Sequence, residues 1–360
     1  MSIRTIILSA ATLAFSLSLL SCRHATKTDE RTTIQTVQTQ RIWEGGYCAF
    51  TSLVKYKDRY YCSFREGDAH LFDKDGKAEG KARIIVSDDG EKWEPLWLYE
   101  KEGMDLRDPK LSVMPDGRLM VLMGGSVYEN KQLVNMFPQA GFSEDGKTFS
   151  ELQPVVFDSA TYKGKEWIWK LAWHHGTGYG VVYGSGFSLV KTQDGIHYEK
   201  ITDLDVSNRP NETAVGFLSD STMLLMVRCE EGGRNGMWGK ARPPYTDWEW
   251  KEMDIPLGGP EFIVLGDTAL IVGTRSLYST EKTMLFRGDT DCRLEEVYML
   301  PSGGDDNSYT GLLIESDKLW VTYYSRHETD KASIYLSRLP LEWFTAPMTS
   351  KYFYKTKLTL

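Results

Sequence analysis

From about residue 40 onward, apolar residues come in short alternating runs broken by turn clusters, the rhythm of strands rather than helices. Six pairs of runs read as hairpins, each an apolar strand, a short polar turn and a second apolar strand. They are Phe50–Phe64 turning at Lys57-Asp58, Lys110–Met123 at Pro115-Asp116-Gly117, and Leu171–Tyr183 at His175-Gly176-Thr177-Gly178. Then follow Thr213–Arg228 at Ser219-Asp220, Phe262–Arg275 at Gly266-Asp267, and Tyr309–Tyr323 at Ser316-Asp317. Their starts lie roughly 40 to 60 residues apart, the period of a repeat architecture. Six units of four strands predict an all-β fold, a six-bladed β-propeller over residues 41–346, whose radial repetition protects the sheet edges. Residues 347–360 read as a C-terminal tail or a closing strand.

A second repeat has the same period. Ser87-Asp88-Asp89-Gly90-Glu91-Lys92-Trp93 recurs as Ser143-Glu144-Asp145-Gly146-Lys147-Thr148-Phe149 and as Thr192-Gln193-Asp194-Gly195-Ile196-His197-Tyr198. The pattern is hydroxyl, x, Asp, Gly, x, x, aromatic. It predicts a tight turn in which the Asp carboxylate accepts backbone N–H bonds, the Gly supplies positive φ and the ring packs back on the strands.

Ahead of the repeats, Arg4 and the apolar run Ile6–Leu20 form an export signal, too short to span a membrane as a helix. The run ends Leu19-Leu20-Ser21-Cys22, which resembles the bacterial lipobox, so residues 1–21 are expected to be removed and Cys22 lipidated. Residues 22–40 are polar and read as a flexible tether. The expected location is outside the cytoplasm, on a membrane, with the lipid anchor as the only membrane contact. A net charge of −8 gives no electrostatic reason to hold nucleic acid. The remaining cysteines, Cys48, Cys62, Cys229 and Cys292, lack metal-ligand spacing. Gly258-Gly259-Pro260 and Gly303-Gly304 precede no helix and are not phosphate loops. Neither metal nor cofactor is expected, and the chain is expected to be a monomer that meets a glycan.

In a propeller, first strands begin and second strands end on one face, so candidate site residues come from those positions. This selects Arg65, Asp68 and His70 after the first hairpin, Arg107 and Asp108 before the second, and Trp169 at the third. The fourth contributes Glu212 and Arg228, the fifth Arg275 with Lys282 opening the next strand, and the last Tyr309 and His327. So many polar groups converging on one end suggest a polar pocket.

Three features resemble the sialidase superfamily. The turn repeat resembles its Asp-boxes, which are structural there. Asn211-Glu212-Thr213-Ala214-Val215-Gly216-Phe217-Leu218, followed by Leu224-Leu225-Met226-Val227-Arg228, resembles the segment carrying the catalytic glutamate and a binding arginine. Ser308-Tyr309-Thr310-Gly311-Leu312 resembles the segment carrying the nucleophilic tyrosine. The resemblance implies Tyr309 as nucleophile, Glu212 as its base and Asp68 as acid/base. It also implies substrate contacts from Arg65, Arg228 and either Arg275 or Lys282. One element of the pattern is missing: Gly46-Tyr47-Cys48-Ala49-Phe50-Thr51 stands where sialidases carry the first of three arginines, and Arg41 lies too early to replace it.

The implied activity is exo-acting glycoside hydrolysis of a terminal sugar, sialic, another acidic sugar or neutral. The alternatives are a carbohydrate-binding propeller without catalysis, and a lyase or hydrolase with His70 or His327 as base.

Overall fold

The computed structural model describes residues 37–276, 282–304 and 306–348. The export signal, Cys22, most of the tether and the end of the C-terminal tail lie outside the described residues.

Six sheets follow one another along the chain. The first blade pairs Tyr47–Tyr56, Arg59–Gly67, Lys81–Ser87 and Glu94–Tyr99 in that order. The second pairs Asp105–Val113, Leu119–Glu129, Gln132–Ser143 and Gln153–Pro154. The third pairs Glu166–His174, Thr177–Gly184, Ser188–Thr192 and His197–Asp203, with Val156–Phe157 added outside in parallel. The fourth is Pro210–Phe217, Met223–Cys229, Asn235–Ala241 and Glu249–Pro256, and the fifth Glu261–Leu265, Ala269–Ser276, Lys282–Asp289 and Leu294–Met299. The sixth takes Ser308–Glu315, Lys318–Ser325 and Ser333–Pro340, and its outermost strand is Gln38–Trp43 from the other end of the sequence. The six expected hairpins are thus the inner strand pairs of six blades. Their turns carry the conformations that tight hairpins require, with Lys57 and Asp58 both left-handed at φ 47° and 61°.

Ring closure shifts one expected boundary. The propeller begins at Gln38, inside the stretch read as tether, because Gln38–Trp43 runs antiparallel to Ser333–Pro340 with Gln38 opposite Arg338 and Arg41 opposite Tyr335. Its polar composition suits an outermost strand, and Thr39 shares a hydrogen bond of 2.8 Å with the Ser337 hydroxyl.

The apolar core lies largely between neighbouring blades. Tyr61, Ile84 and Val86 of the first blade pack against Leu106, Val121 and Met123 of the second. Ile271 and Leu285 of the fifth pack against Leu319, Val321 and Tyr335 of the sixth. The recurring turns join the third and fourth strands of blades one to three and clamp each blade to its predecessor. In each, one carboxylate oxygen accepts two backbone N–H bonds: Asp89 from Glu91 and Lys92, Asp145 from Lys147 and Thr148, Asp194 from Ile196 and His197, all at 2.7–2.9 Å. The glycine is required twice over. Gly146 has φ 74°, and a Cβ there would lie 2.4 Å from the Tyr61 hydroxyl of the preceding blade.

Candidate active site

Five of the six innermost strands break register near their first residues. The shifts fall between Ala49 and Ser52, Arg107 and Lys110, Ile168 and Leu171, Pro210 and Thr213, and Ser308 and Gly311. A bulge inserts a residue and re-aims the side chains beside it. The residues held in these bulges include Phe50, Asp108, Trp169, Glu212 and Tyr309. Three of them have left-handed backbones, at φ 66° for Phe50, 49° for Asp108 and 52° for Tyr309. Left-handed non-glycine residues of this kind cluster at functional sites.

Tyr309 and Glu212 meet. The Tyr309 hydroxyl donates to Glu212 Oε1 at 2.6 Å, across the ring from the sixth blade to the fourth. Arg228, at the end of the fourth blade's second strand, places Nη1 3.0 Å from Glu212 Oε2 and donates to the Tyr309 hydroxyl at 3.3 Å. Its Nη2 stands 3.0 Å from Glu230 Oε1. Burial and the Glu212 charge push the Tyr309 phenol well above its ordinary range, so it rests neutral with its proton on the shared bond.

Around this pair lies a wall of rings. Phe50 meets Tyr309 edge-on with centroids 4.8 Å apart, and Trp169 stands at 6.1 Å. Lys110 sits 4.8 Å from the Trp169 ring and 5.7 Å from that of Tyr309, donating to the Thr51 carbonyl at 2.8 Å. Burial pulls this ammonium down to about 8. Asp108 is 5 % exposed, and its Oδ1 is buried without a hydrogen-bond partner among the described residues. Burial, then the Glu212 charge, pushes the Asp108 carboxyl up to about 6. Tyr183 is close enough to feel Glu212, Asp108 and Tyr309, and burial with those neighbours raises its phenol too.

A second polar group lies beyond Phe50. Asp306 Oδ2 accepts from the Tyr47 hydroxyl and contacts His70 Nδ1, both at 2.5 Å, while Oδ1 accepts from Tyr324 at 2.5 Å. Burial alone would raise this carboxyl, but the bonds from His70, Tyr324 and Tyr47 outweigh it and hold it below its ordinary range. Arg275 Nη1 stands 3.9 Å from Asp306 Oδ1. Arg275 and Arg228 line one cavity of about 100 Å³ with Glu230 and Arg234. Arg107 stacks over Phe50 at 4.9 Å and donates to Asp105 Oδ2 at 3.1 Å and to the His70 carbonyl at 3.3 Å.

The structure therefore gathers Tyr309, Glu212, Arg228 and Asp108, with Arg275, Arg107 and His70 linked to them through Asp306 and Phe50. The other candidates stand apart from this group or, like Trp169, behind it. Arg65, read as a substrate contact, is 1 % exposed and committed to Asp105 Oδ1 at 2.7 Å and to the Ala69 carbonyl at 2.8 Å. That position faces the seam between the first two blades. Asp68, read as the acid, is exposed, has no hydrogen bond or ion pair among the described residues, and lines a cleft with Arg65, Lys77, Lys81 and Lys101. Trp169, read as a substrate contact, is 2 % exposed and serves as the floor behind Tyr309. Lys282 donates to the Ser302 carbonyl. His327 bonds Ser325 at 2.9 Å and packs on Tyr335, and burial lowers its imidazole. Arg41 stands by Glu44 and Glu328 on the outermost strand of the sixth blade. Among the described residues, no group of three or more His, Cys, Asp or Glu could hold a metal ion.

Phe50, Lys110 and Tyr183 are the neighbours that the named candidates omit; Asp306 meets the position rule, just ahead of the last inner strand. Tyr183 ends a second strand, where the position rule applies, but it reads there as a strand aromatic. Phe50 and Lys110 read as ordinary strand residues until the bulges are known.

No protein-family profile matches the chain, and no curated protein does. Among solved structures it is similar to a protein of unknown function from Dyadobacter fermentans, at TM-score 0.72 and 16% identity over 85% of this chain and 100% of that one. It is also similar to the NanB sialidase of Streptococcus pneumoniae, at TM-score 0.66 and 13% identity over 85% of this chain and 71% of that one. A Trypanosoma rangeli sialidase mutant with trans-sialidase activity matches at TM-score 0.64 and 11% identity, over 86% of this chain and 59% of that one. At these identities the shared property is the sialidase-like six-bladed fold.

Proposed function

We propose that this chain is an exported, lipid-anchored exo-glycoside hydrolase that releases a terminal sugar from glycans through a covalent tyrosyl intermediate. The observation that carries the reading is the 2.6 Å hydrogen bond from Tyr309 to Glu212, braced by Arg228. Tyr309 Oη attacks the anomeric carbon as its proton passes to Glu212 Oε1, and the bond to the leaving oxygen breaks while an acid protonates that oxygen. Water, giving its proton to the acid's conjugate base, then displaces the phenolate, which recovers its own proton from Glu212. Two displacements retain the anomeric configuration. A neutral phenol also approaches an anomeric centre bearing a carboxylate without the repulsion a carboxylate nucleophile would meet, which keeps acidic sugars within the substrate class. Two of the solved relatives carry the name sialidase, which supports this chemistry by analogy of fold alone.

Arg228 and Arg275 remain to meet a substrate carboxylate, while Phe50 occupies the segment where sialidases carry another arginine. That substitution favours a second reading, a propeller that binds glycans without cleaving them. A panel of acidic and neutral aryl glycosides separates the two. Release of one sugar by the native protein, with Tyr309→Phe and Glu212→Gln folded but at least ~10²-fold slower, supports hydrolysis. Unchanged turnover in both variants refutes the mechanism, and binding without release from any glycoside favours the second reading.

A further inference from the structure

We propose that His70, oriented by Asp306, is the general acid that protonates the leaving oxygen and the base that later activates water. The proposal rests on the hydrolase reading above and names the group that reading leaves open. The imidazole is tied through Nδ1 to Asp306 Oδ2 at 2.5 Å. Asp306 is in turn held by Tyr47 and Tyr324, also at 2.5 Å. A carboxylate on Nδ1 sets the tautomer and turns Nε2 outward. Nε2 has no hydrogen bond among the described residues, and the His70 side chain is 45% exposed. Arg107 fixes the backbone beneath it through the His70 carbonyl, at 3.3 Å.

The placement fits an acid opposite the nucleophile. His70 and Tyr309 both meet the Phe50 ring edge-on, at 5.4 Å and 4.8 Å. Their rings therefore stand no more than roughly 10 Å apart about one shared aromatic ring, within the reach of a single sugar. Glycosidases place their two catalytic groups to either side of the scissile bond in this way. In the first step the Nε2–H proton of the imidazolium passes to the leaving oxygen as the Tyr309 Oη bond to carbon forms. In the second, neutral Nε2 takes a proton from water as its oxygen bonds the anomeric carbon and the phenolate leaves. Asp306 is a positioning residue that stays ionised throughout.

Leaving-group dependence tests this. The sugar released in the panel is prepared as its 2,4-dinitrophenyl and its phenyl glycoside, the first needing no protonation to leave. His70→Ala is expected to lose about 10²–10⁴-fold in kcat/KM on the phenyl glycoside and under about tenfold on the dinitrophenyl one. Asp306→Asn is expected to show a smaller loss with the same selectivity. A merely structural role for either residue would slow both substrates alike, and that outcome overturns the proposal. So does an unimpaired His70→Ala beside a selectively impaired Asp68→Asn or Asp108→Asn, which would move the acid to a carboxyl. Tyr309→Phe separates the layers. If it is inactive on both glycosides while His70→Ala is unselective, only the dyad falls. If it turns over the dinitrophenyl glycoside normally, or the native protein releases no sugar, the hydrolase reading falls and this one with it.

Discussion

Replacing Asp108 with Asn removes a carboxyl that the site keeps buried, 5 % exposed, within reach of the Glu212 charge. Burial lifts this group from 3.8 to about 6. An acid whose folded value lies above its unfolded one binds more protons when folded across that window. Stability therefore falls as pH rises from about 4 to about 6, and the penalty is fully present above it. A displacement of about two pH units corresponds to about 3 kcal/mol at ~1.4 kcal/mol per unit. Spread over the unfolding entropy of a ring of roughly 300 residues, that is a Tm change of roughly 5 °C. The assay is thermal unfolding of native and Asp108→Asn protein at pH 4, 5, 6 and 7.5. The variant should gain on the native protein with rising pH, reaching roughly 5 °C more at pH 7.5 than the difference at pH 4. Because the Glu212 charge adds to that lift, the gain should shrink when both proteins also carry Glu212→Gln. A difference independent of pH, or one that moves against the variant, would refute the claim that the site confines an unfavourable charge at Asp108.

Two further outcomes follow from the blade seams and the N-terminus. Gly146→Ala should cost about 1–3 kcal/mol beyond Gly117→Ala in urea unfolding: both glycines are left-handed, but only Gly146 would press a Cβ against Tyr61, while nothing lies within 4 Å of Gly117. Equal losses would mean that the turn does not clamp the blades. Cys22→Ala should move the protein from the membrane fraction to the soluble fraction of the expressing cell, and retention on the membrane would remove the lipid-anchor reading.

The hairpins were readable because each inner strand pair is an apolar run, a short polar turn with its own chemistry and a second apolar run. The pairing of Tyr309 with Glu212 came from the sialidase resemblance, and the position rule only agreed with it: both open an inner strand, and inner strands open on one face. The rest depended on phase. A bulge shifts a strand by one residue, and a one-residue slip exchanges its faces. Phe50 and Lys110 consequently read as ordinary strand residues, although the bulges bring both to Tyr309. Arg65 shows the opposite case. It lies at the end of a second strand, where the rule expects a site residue, yet its side chain enters the seam toward Asp105. The His70–Asp306 contact joins residues 236 positions apart, and no local pattern announces it. Ring closure by Gln38–Trp43 was hidden by composition, since an outermost strand and a polar tether draw on the same residues.

The bulges also explain why this gathering of side chains sits on a closed ring rather than an open sheet. Left-handed backbones at Phe50, Asp108 and Tyr309 each cost on the order of 1–3 kcal/mol and persist only where surroundings over-determine them. The bonds that do so cross between blades. Thr51 Oγ1 donates to the Tyr309 carbonyl at 2.6 Å, from the first blade to the sixth. Ser63 donates to the Pro109 carbonyl at 2.6 Å, and Lys110 returns a bond to the Thr51 carbonyl at 2.8 Å, tying the first blade to the second. Ser308 reaches the Gly258 carbonyl, at the entry to the fifth blade, at 2.8 Å. Each strained residue, or the residue that follows it, is thus held by a neighbour distant in sequence, and the first and sixth blades become neighbours only when the ring closes. The outermost strand of the sixth blade, drawn from the opposite end of the chain, is the element that closes it.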